Sequence, residues 1–381
     1  MSDFRLGVVG LGNIGQQHIK HVINGDVNNC TVTAVASRAP NELAQSIGAQ
    51  HFTCYRALVD SGLCDGVLVA TPTMEHLEMG LYVLSKGIHL LMEKPIGLSV
   101  AEGEQLLAAV GPKQVFGLML NQRVSPVFTQ MKNLIDTGVI GELQRTHWTM
   151  TNWFRPEVYF QVSDWRATWY GEGGGLLVNQ CIHNVDILQW LCGMPVFIQG
   201  FCGFGKYHDI EVEDEATAYF EYPNGATGVF IGSTGESPGV NRLEIVGDKG
   251  MLSFDGERLT LTLNAPSTSV YNRETKDMFG QPEKSVQDIT PTEDVNQHAV
   301  VINNFIEATL NQQSLIAPAE EGIKSLSIAN AILWSAWTKQ GIVLPLDSGG
   351  YQQALNKKLV HSRLRTKSNV KANIDMGASY R

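Results

Sequence analysis

The sequence is poor in charge, and this excludes several classes of protein. Asp, Glu, Lys and Arg make up 17% of its 381 residues, where a soluble chain typically carries about 25%. Acids outnumber bases, 38 to 28, so there is no basic domain or stripe of the kind that binds nucleic acid. No apolar run approaches the ~18 residues that span a bilayer. Six cysteines are present (Cys30, Cys54, Cys64, Cys181, Cys192 and Cys202), and no two are spaced Cys-x-x-Cys, which removes the usual zinc and redox motifs. The first residues run straight into a strand pattern without a leader-like apolar core. The expectation is a cytoplasmic protein with reduced thiols, no metal, and neither a nucleic-acid nor a membrane partner.

What is present is apolar residues, 43%, and 38 glycines. Their order divides the chain. Over residues 4–120, short apolar runs (5–9, 31–36, 66–70, 89–92, 115–120) alternate with helical patterns (14–24, 40–47, 76–85, 100–110). Alternation of this kind builds βαβ units, hence a doubly wound parallel sheet. Beyond about residue 122, strand-like runs follow one another (144–151, 196–204, 215–222, 226–232, 241–246, 250–254, 258–263), several joined by turns such as Pro223-Asn224-Gly225. Strands without intervening helices predict an antiparallel sheet. Helices are expected at 126–137, 176–191, 295–310 and 320–339, and a loop-rich insertion at 264–293. The division is 1–122, 123–347 and a basic tail, 348–381. The tail carries Lys357, Lys358, Arg363, Arg365, Lys367, Lys371 and Arg381 against one acid, Asp375, and is expected to be a solvated arm meeting an acidic neighbouring subunit.

Gly10-Leu11-Gly12-Asn13-Ile14-Gly15 follows the first strand and opens the first helix. In that context the glycines allow a tight turn, close approach of backbone to pyrophosphate, and close helix–strand packing. The helix N-terminus presents free N–H groups to the phosphates. At the end of the second strand, a residue about 20 positions on sets the cofactor, because an acid there binds the NAD ribose. Here Ser37-Arg38 stand in that place. A small neutral residue and a guanidinium favour NADP over NAD.

Glu93-Lys94-Pro95 ends the strand 89–92, where an ammonium can donate to a substrate oxygen. Gly173-Gly174-Gly175 precedes a segment read as helical, on which Asn179, His183 and Asp186 share one face. The three glycines are expected to let backbone approach a ligand, and His183 suits a general base.

Together the glycine turn, Glu93-Lys94-Pro95, Trp165-Arg166 and Gly-Gly-Gly…His-x-x-Asp resemble the glucose–fructose oxidoreductase / inositol dehydrogenase family. The resemblance covers about residues 4–347. It implies a Rossmann domain followed by an α+β domain on an open, mainly antiparallel sheet that forms a homodimer or homotetramer interface. It also implies hydride transfer between a nicotinamide and a secondary alcohol of a sugar or cyclitol. Lys94 is then the active-site lysine and His183 the catalytic base. Asn179 stands where inositol dehydrogenases have Asp, so it can orient a partner but not carry a proton. Thr71-Pro72-Thr73 with His76, and Glu93, Lys94, Trp165 and Arg166, join the cofactor set. Asn121, Arg123, Asn152, Tyr159 and Tyr170 are candidates to touch substrate, beside Lys94, Asn179 and His183. A nicotinamide-dependent glycosidase and a non-catalytic dinucleotide sensor remain alternatives.

Overall fold

The protein was analysed as a computed structural model, which describes residues 3–365. The first strands and helices are β1 (Phe4–Val9), α1 (Asn13–Ile23), β2 (Cys30–Ala36), α2 (Glu42–Ser46), β3 (Gln50–Phe52), α3 (Tyr55–Asp60), β4 (Gly66–Val69), α4 (His76–Ser85), β5 (His89–Met92), α5 (Val100–Ala108) and β6 (Phe116–Leu118). Their six strands form one parallel sheet in the order β3-β2-β1-β4-β5-β6. That is the dinucleotide-fold order, and the strand order reverses between β1 and β4. Apolar runs without alternation reflect burial on both faces: every residue of β4 is buried. Short polar residues start the helices. Asn41 accepts from the amides of Leu43 and Ala44, and Ser99 from that of Glu102.

The next elements are α6 (Pro126–Asp136), β7 (Leu143–Met150), α7 (Glu157–Gln161), α8 (Trp169–Glu172), α9 (Ile182–Cys192), β8 (Phe197–Phe204), β9 (Glu213–Glu221), β10 (Thr227–Ser233), β11 (Asn241–Gly247), β12 (Gly250–Phe254), β13 (Leu259–Ala265), α10 (Thr268–Glu274) and β14 (Glu283–Asp288). With β15 (Ile342–Val343) they build a nine-stranded sheet, β14-β13-β12-β11-β7-β10-β9-β8-β15. It is antiparallel except for the β7–β10 pair. Burial alternates residue by residue along β10, β11 and β12, the mark of a sheet covered on one face. Among the described residues, no helix is long and apolar enough to cross a membrane, and all six cysteines are free thiols.

Four expectations change. The first concerns the domain limits. The chain divides into a unit comprising residues up to Ser125 with Tyr170–Gly173 and Val295–Leu326, and a second comprising Pro126–Trp169, Gly174–Asp294 and the chain from Ser327. Residues 295–326 join the first unit because α11 (Gln297–Asn311) adds Val301, Ile302, Phe305 and Ile306 to the core around Phe4, Leu6, Val8 and Leu68. Gly66 makes the room: a Cβ there would lie 2.7 Å from Phe4 and 3.2 Å from Phe305. The helix α12 (Ala319–Thr338) follows.

Second, 264–293 is only in part a loop. It holds α10 and the edge strand β14, which pairs with β13 from Thr260–Asp288 to Ala265–Glu283. Third, the tail begins as structure. In α13 (Ser348–Leu359), capped by Asp347, Tyr351 and Leu355 are fully buried. Tyr351 stacks on Trp337 at 5.5 Å, and the Lys358 ammonium lies over Trp169, Phe204 and Trp337. Lys367, Lys371 and Arg381 lie outside the described residues. Fourth, α9 starts at Ile182; residues 176–181 are turns, so the shared helical face drawn through Asn179 and His183 does not exist.

Candidate functional site

In the first unit, the expected cofactor residues gather at the C-terminal ends of the parallel strands. Gly10 has φ +93°, which a side chain rarely adopts, and a Cβ would lie 2.6 Å from the Ala70 carbonyl. A Cβ on Gly15 would strike the Gly10 carbonyl. Those two glycines are demanded by the fold itself. Gly12 is different: a Cβ there meets nothing within 4 Å, so the protein leaves that side of the turn open. Gly12 is also the N-cap of α1, with no side-chain cap and no acid in the first turn. An uncapped helix end beside open space fits a dinucleotide pyrophosphate, with Asn13 and Ile14 supplying the first amides of α1.

The end of β2 carries no acid. Ser37 Oγ donates to Ala39 O at 2.6 Å and sits 3.1 Å from His51 Nε2, while Arg38 is exposed. Glu75, missed in the sequence, senses the Arg38 charge. Burial nevertheless holds its carboxyl above the ordinary value.

Thr71-Pro72-Thr73 follows β4, and Glu93-Lys94-Pro95 follows β5 with a cis Lys94–Pro95 peptide. His76 was expected to line the cofactor. It is 1% exposed instead, with Nδ1 2.8 Å from Pro95 O and Nε2 3.0 Å from Thr71 O. Burial pushes its pKa down. Glu93 is likewise buried and accepts from His18 Nε2 at 2.7 Å. Burial alone would raise the Glu93 carboxyl, but the His18 hydrogen bond and charge outweigh it and hold the group at about 2. His18 gave no signal in the sequence beyond its place one turn past Gly15.

Asn121 and Arg123 are corrected. Both are 3% exposed. Asn121 donates to Gln297 at 2.9 Å, and the Arg123 guanidinium pairs with Glu321 at 3.0 Å. Both side chains are thus buried and tied to the half-buried Gln297 of α11 and Glu321 of α12, so that they brace the strand end. Tyr170 is exposed.

In the second unit, a polar cluster forms around Tyr159. Its hydroxyl accepts from Arg166 Nη1 at 2.7 Å and from Gln180 Nε2 at 3.2 Å. The guanidinium of Arg166 lies over Tyr159 and Trp165 (4.6 and 4.7 Å), and that of Arg155 over Tyr159 and Trp153 (5.3 and 4.9 Å). The structure thus brings Trp165, Arg166 and Tyr159 together, with Arg155 and Gln180 as further members. Asn152 Oδ1 is buried without a hydrogen-bond partner among the described residues, as suits a group kept for a ligand donor.

His183 is 8% exposed in the first turn of α9. Asn179 is half-buried in the turn before it, its amide bonded to Gly175 O. Asp186 is buried and accepts from Gln189. The glycines 173–175 serve packing rather than ligand approach. A Cβ on Gly173 would lie 2.8 Å from Leu98 O, one on Gly174 3.0 Å from Val178, and one on Gly175 would strike Glu213 O. Glu213 is the organiser here. Fully buried, its carboxylate accepts from the amides of Gly175 and Leu177, each at 2.9 Å, and its carbonyl from Leu176. Among the described residues, no group of three His, Cys, Asp or Glu is arranged to hold a metal.

Two family models match. One, an oxidoreductase family with an NAD-binding Rossmann fold, covers residues 4–121; the other, the GFO/IDH/MocA C-terminal domain, covers 128–253. The chain belongs to the GFO/IDH/MocA family of oxidoreductases. Family relatives include scyllo-inositol 2-dehydrogenase (NAD(+)) of Bacillus subtilis, 27% identical over 65% of this chain and 72% of that one. Inositol 2-dehydrogenase of Rhizobium meliloti is 25% identical over 89% of this chain and 98% of its own. The rhizopine catabolism protein MocA of Rhizobium meliloti is 27% identical over 51% of this chain, a match that spans 58% of MocA. Among solved structures, the WlbA dehydrogenase of Chromobacterium violaceum, in complex with NADH and UDP-GlcNAcA, has a TM-score of 0.79 at 23% identity, covering 91% of this chain and 97% of that one. At that identity the likeness establishes the GFO/IDH/MocA fold and nothing finer.

Proposed function

We propose that the protein is a nicotinamide-dependent dehydrogenase or reductase acting on a secondary alcohol or ketone of a sugar or cyclitol. The observation that carries this reading is the open, uncapped glycine turn at the β1/β4 crossover, in a chain whose family relatives include inositol dehydrogenases. When bound, the nicotinamide supplies the hydride acceptor. Gly10–Gly15 and the first turn of α1 hold the pyrophosphate, and Ser37 and Arg38 the adenosine end. Thr71-Pro72-Thr73, Trp165 and Arg166 complete the cofactor set. Lys94 donates to the carbinol oxygen and stabilises the charge that develops on it. His183 takes the hydroxyl proton. Asn179, Asn152 and Tyr159 bind substrate hydroxyls.

The absence of an acid after β2 supports NADP over NAD, in contrast to the relatives whose names specify NAD(+) or NADH. The exposed face of the nine-stranded sheet supports a homodimer or homotetramer, in a protein that works in the cytoplasm. The test is a panel of sugars, glycosides and inositols, assayed with NADP and NAD for net cofactor reduction. Turnover is expected, and it should be lost in Lys94→Ala and in His183→Ala while cofactor binding persists. Unchanged turnover in both variants sinks this mechanism. Hydrolysis of a glycoside without net reduction selects the glycosidase reading instead.

A further inference from the structure

Two buried histidines that the proposed chemistry does not use grip the lysine segment from opposite ends. His18 has no exposed surface and donates to Glu93 Oε1, the side chain just before Lys94. Glu93 Oε2 in turn accepts from the Lys94 amide at 3.3 Å. His76 reaches the carbonyl of Pro95, the residue just after Lys94, and also the carbonyl of Thr71. Each histidine lies on an element that carries part of the cofactor set. His18 is on α1, one turn beyond Gly15; His76 opens α4, directly behind Thr71-Pro72-Thr73.

We propose that His18 and His76 are positioning residues: they fix the Lys94 backbone and tie it to the glycine turn and to the Thr71–Thr73 loop, so that cofactor binding orders the lysine. This rests on Lys94 being the active-site cation. The physical need is plain. A lysine side chain is a flexible four-carbon stem that can fill many rotamers. Its ammonium is aimed only if its Cα is held, and a displacement of roughly 1 Å costs on the order of 100-fold in rate. The two anchors also differ in kind. His18 acts on a carboxylate, whereas His76 faces two carbonyl acceptors, so a neutral ring donates to one of them at a time.

The test reads Lys94 directly and needs no substrate. Full-length protein is pulse-acetylated with trace acetic anhydride across pH, with and without NADPH. Modification of Lys94 is quantified by peptide mass spectrometry against the exposed Lys284. In His18→Ala and His76→Ala, the Lys94 rate should shift several-fold while Lys284 is unchanged. His18→Gln, which keeps one donor for Glu93, should restore the wild-type rate. Wild-type Lys94 rates in both folded alanine variants overturn the proposal.

Should those variants not fold, hydrogen exchange on the wild type decides. NADPH should protect the peptide around residues 93–97 together with 10–16; protection of 10–16 alone overturns the coupling. The functional reading fails separately, when Lys94→Ala keeps turnover. With a substrate in hand, the alanine variants should lose ~10- to 100-fold in kcat with little change in cofactor KM.

Discussion

At the scale of single residues, the first unit stores proton-sensitive groups around Glu93. Burial, with the nearby charge of His18, pushes His298 down to about 4, and His76 is also lowered by burial. Both must charge when the chain unfolds in mild acid, so below about pH 6.5 the unfolded state binds more protons than the native state. Glu93, held at about 2, acts in the same direction from about pH 4.5 downward, where the unfolded carboxyl protonates first. Stability should therefore be flat only between about pH 7 and 8, and should fall from about pH 6.5 downward, with Glu93 adding to the loss below about 4.5. Each tenfold change in proton affinity on folding is worth about 1.4 kcal/mol, so His298 alone contributes on the order of 3 kcal/mol. Urea midpoints measured from pH 8 to 4 check this; a midpoint that rises on acidification contradicts it. Arg38 poses a second question at this scale. A guanidinium on a 2′-phosphate is a charged hydrogen bond worth about 1.5–3 kcal/mol. Arg38→Ala should thus weaken NADP roughly 10- to 100-fold and leave NAD nearly unaffected, read by fluorescence titration of the reduced cofactors. Unaltered NADP affinity, or tighter binding of NAD by the wild type, overturns the cofactor preference.

At the scale of elements, the turn that delivers His183 depends on a strand far along the chain. Glu213 opens β9 and satisfies two amides of the glycine turn 38 and 36 residues earlier. Glu213→Ala leaves both donors buried without a partner, at about 1–3 kcal/mol each. The urea midpoint should drop accordingly with an unchanged slope, and Glu213→Gln should recover part of the loss. An alanine variant as stable as wild type would mean that the turn is held by its glycines alone. This case also shows what the sequence discloses. The Gly10–Gly15 turn, β4, β5 and the strands β10 to β12 are legible because their signals are local: glycine spacing, continuous apolar runs, alternation. Glu213 sits in an acidic run, Glu211–Glu215, that looks solvated, and its partners are set by tertiary contact. The edge strand β14 is exposed along its whole length, so it has no apolar period to read. Arg123 carries the same charge as a substrate-binding arginine, and only its burial and its pairing with Glu321 distinguish it.

At the scale of the molecule, one face of the nine-stranded sheet raises the question of what covers it. Inward residues such as Phe220, Phe230 and Leu252 are buried, while their alternates leave Phe201 56% and Tyr219 36% exposed, with Val229, Ile231, Val246 and Met251 half-exposed. Exposed apolar side chains gathered on one sheet face are a mark of an interaction surface, and a two-fold axis lets such a face meet its own copy. The face is not uniformly apolar: Arg145, Arg242 and Glu244 form a charged cluster across β7 and β11. Ile231 lies on β10 beside the central strand β7, with Thr149 opposite it. Ile231→Arg places a cation in the middle of the patch without touching the buried face. If the proposed homo-oligomer forms through this face, Ile231→Arg should convert it to single chains in multi-angle light scattering, with circular dichroism unchanged, whereas the exposed Val343→Arg on the edge strand should leave the assembly intact. If Ile231→Arg stays assembled, the subunits meet through another surface, and the open face must then be explained by some other partner.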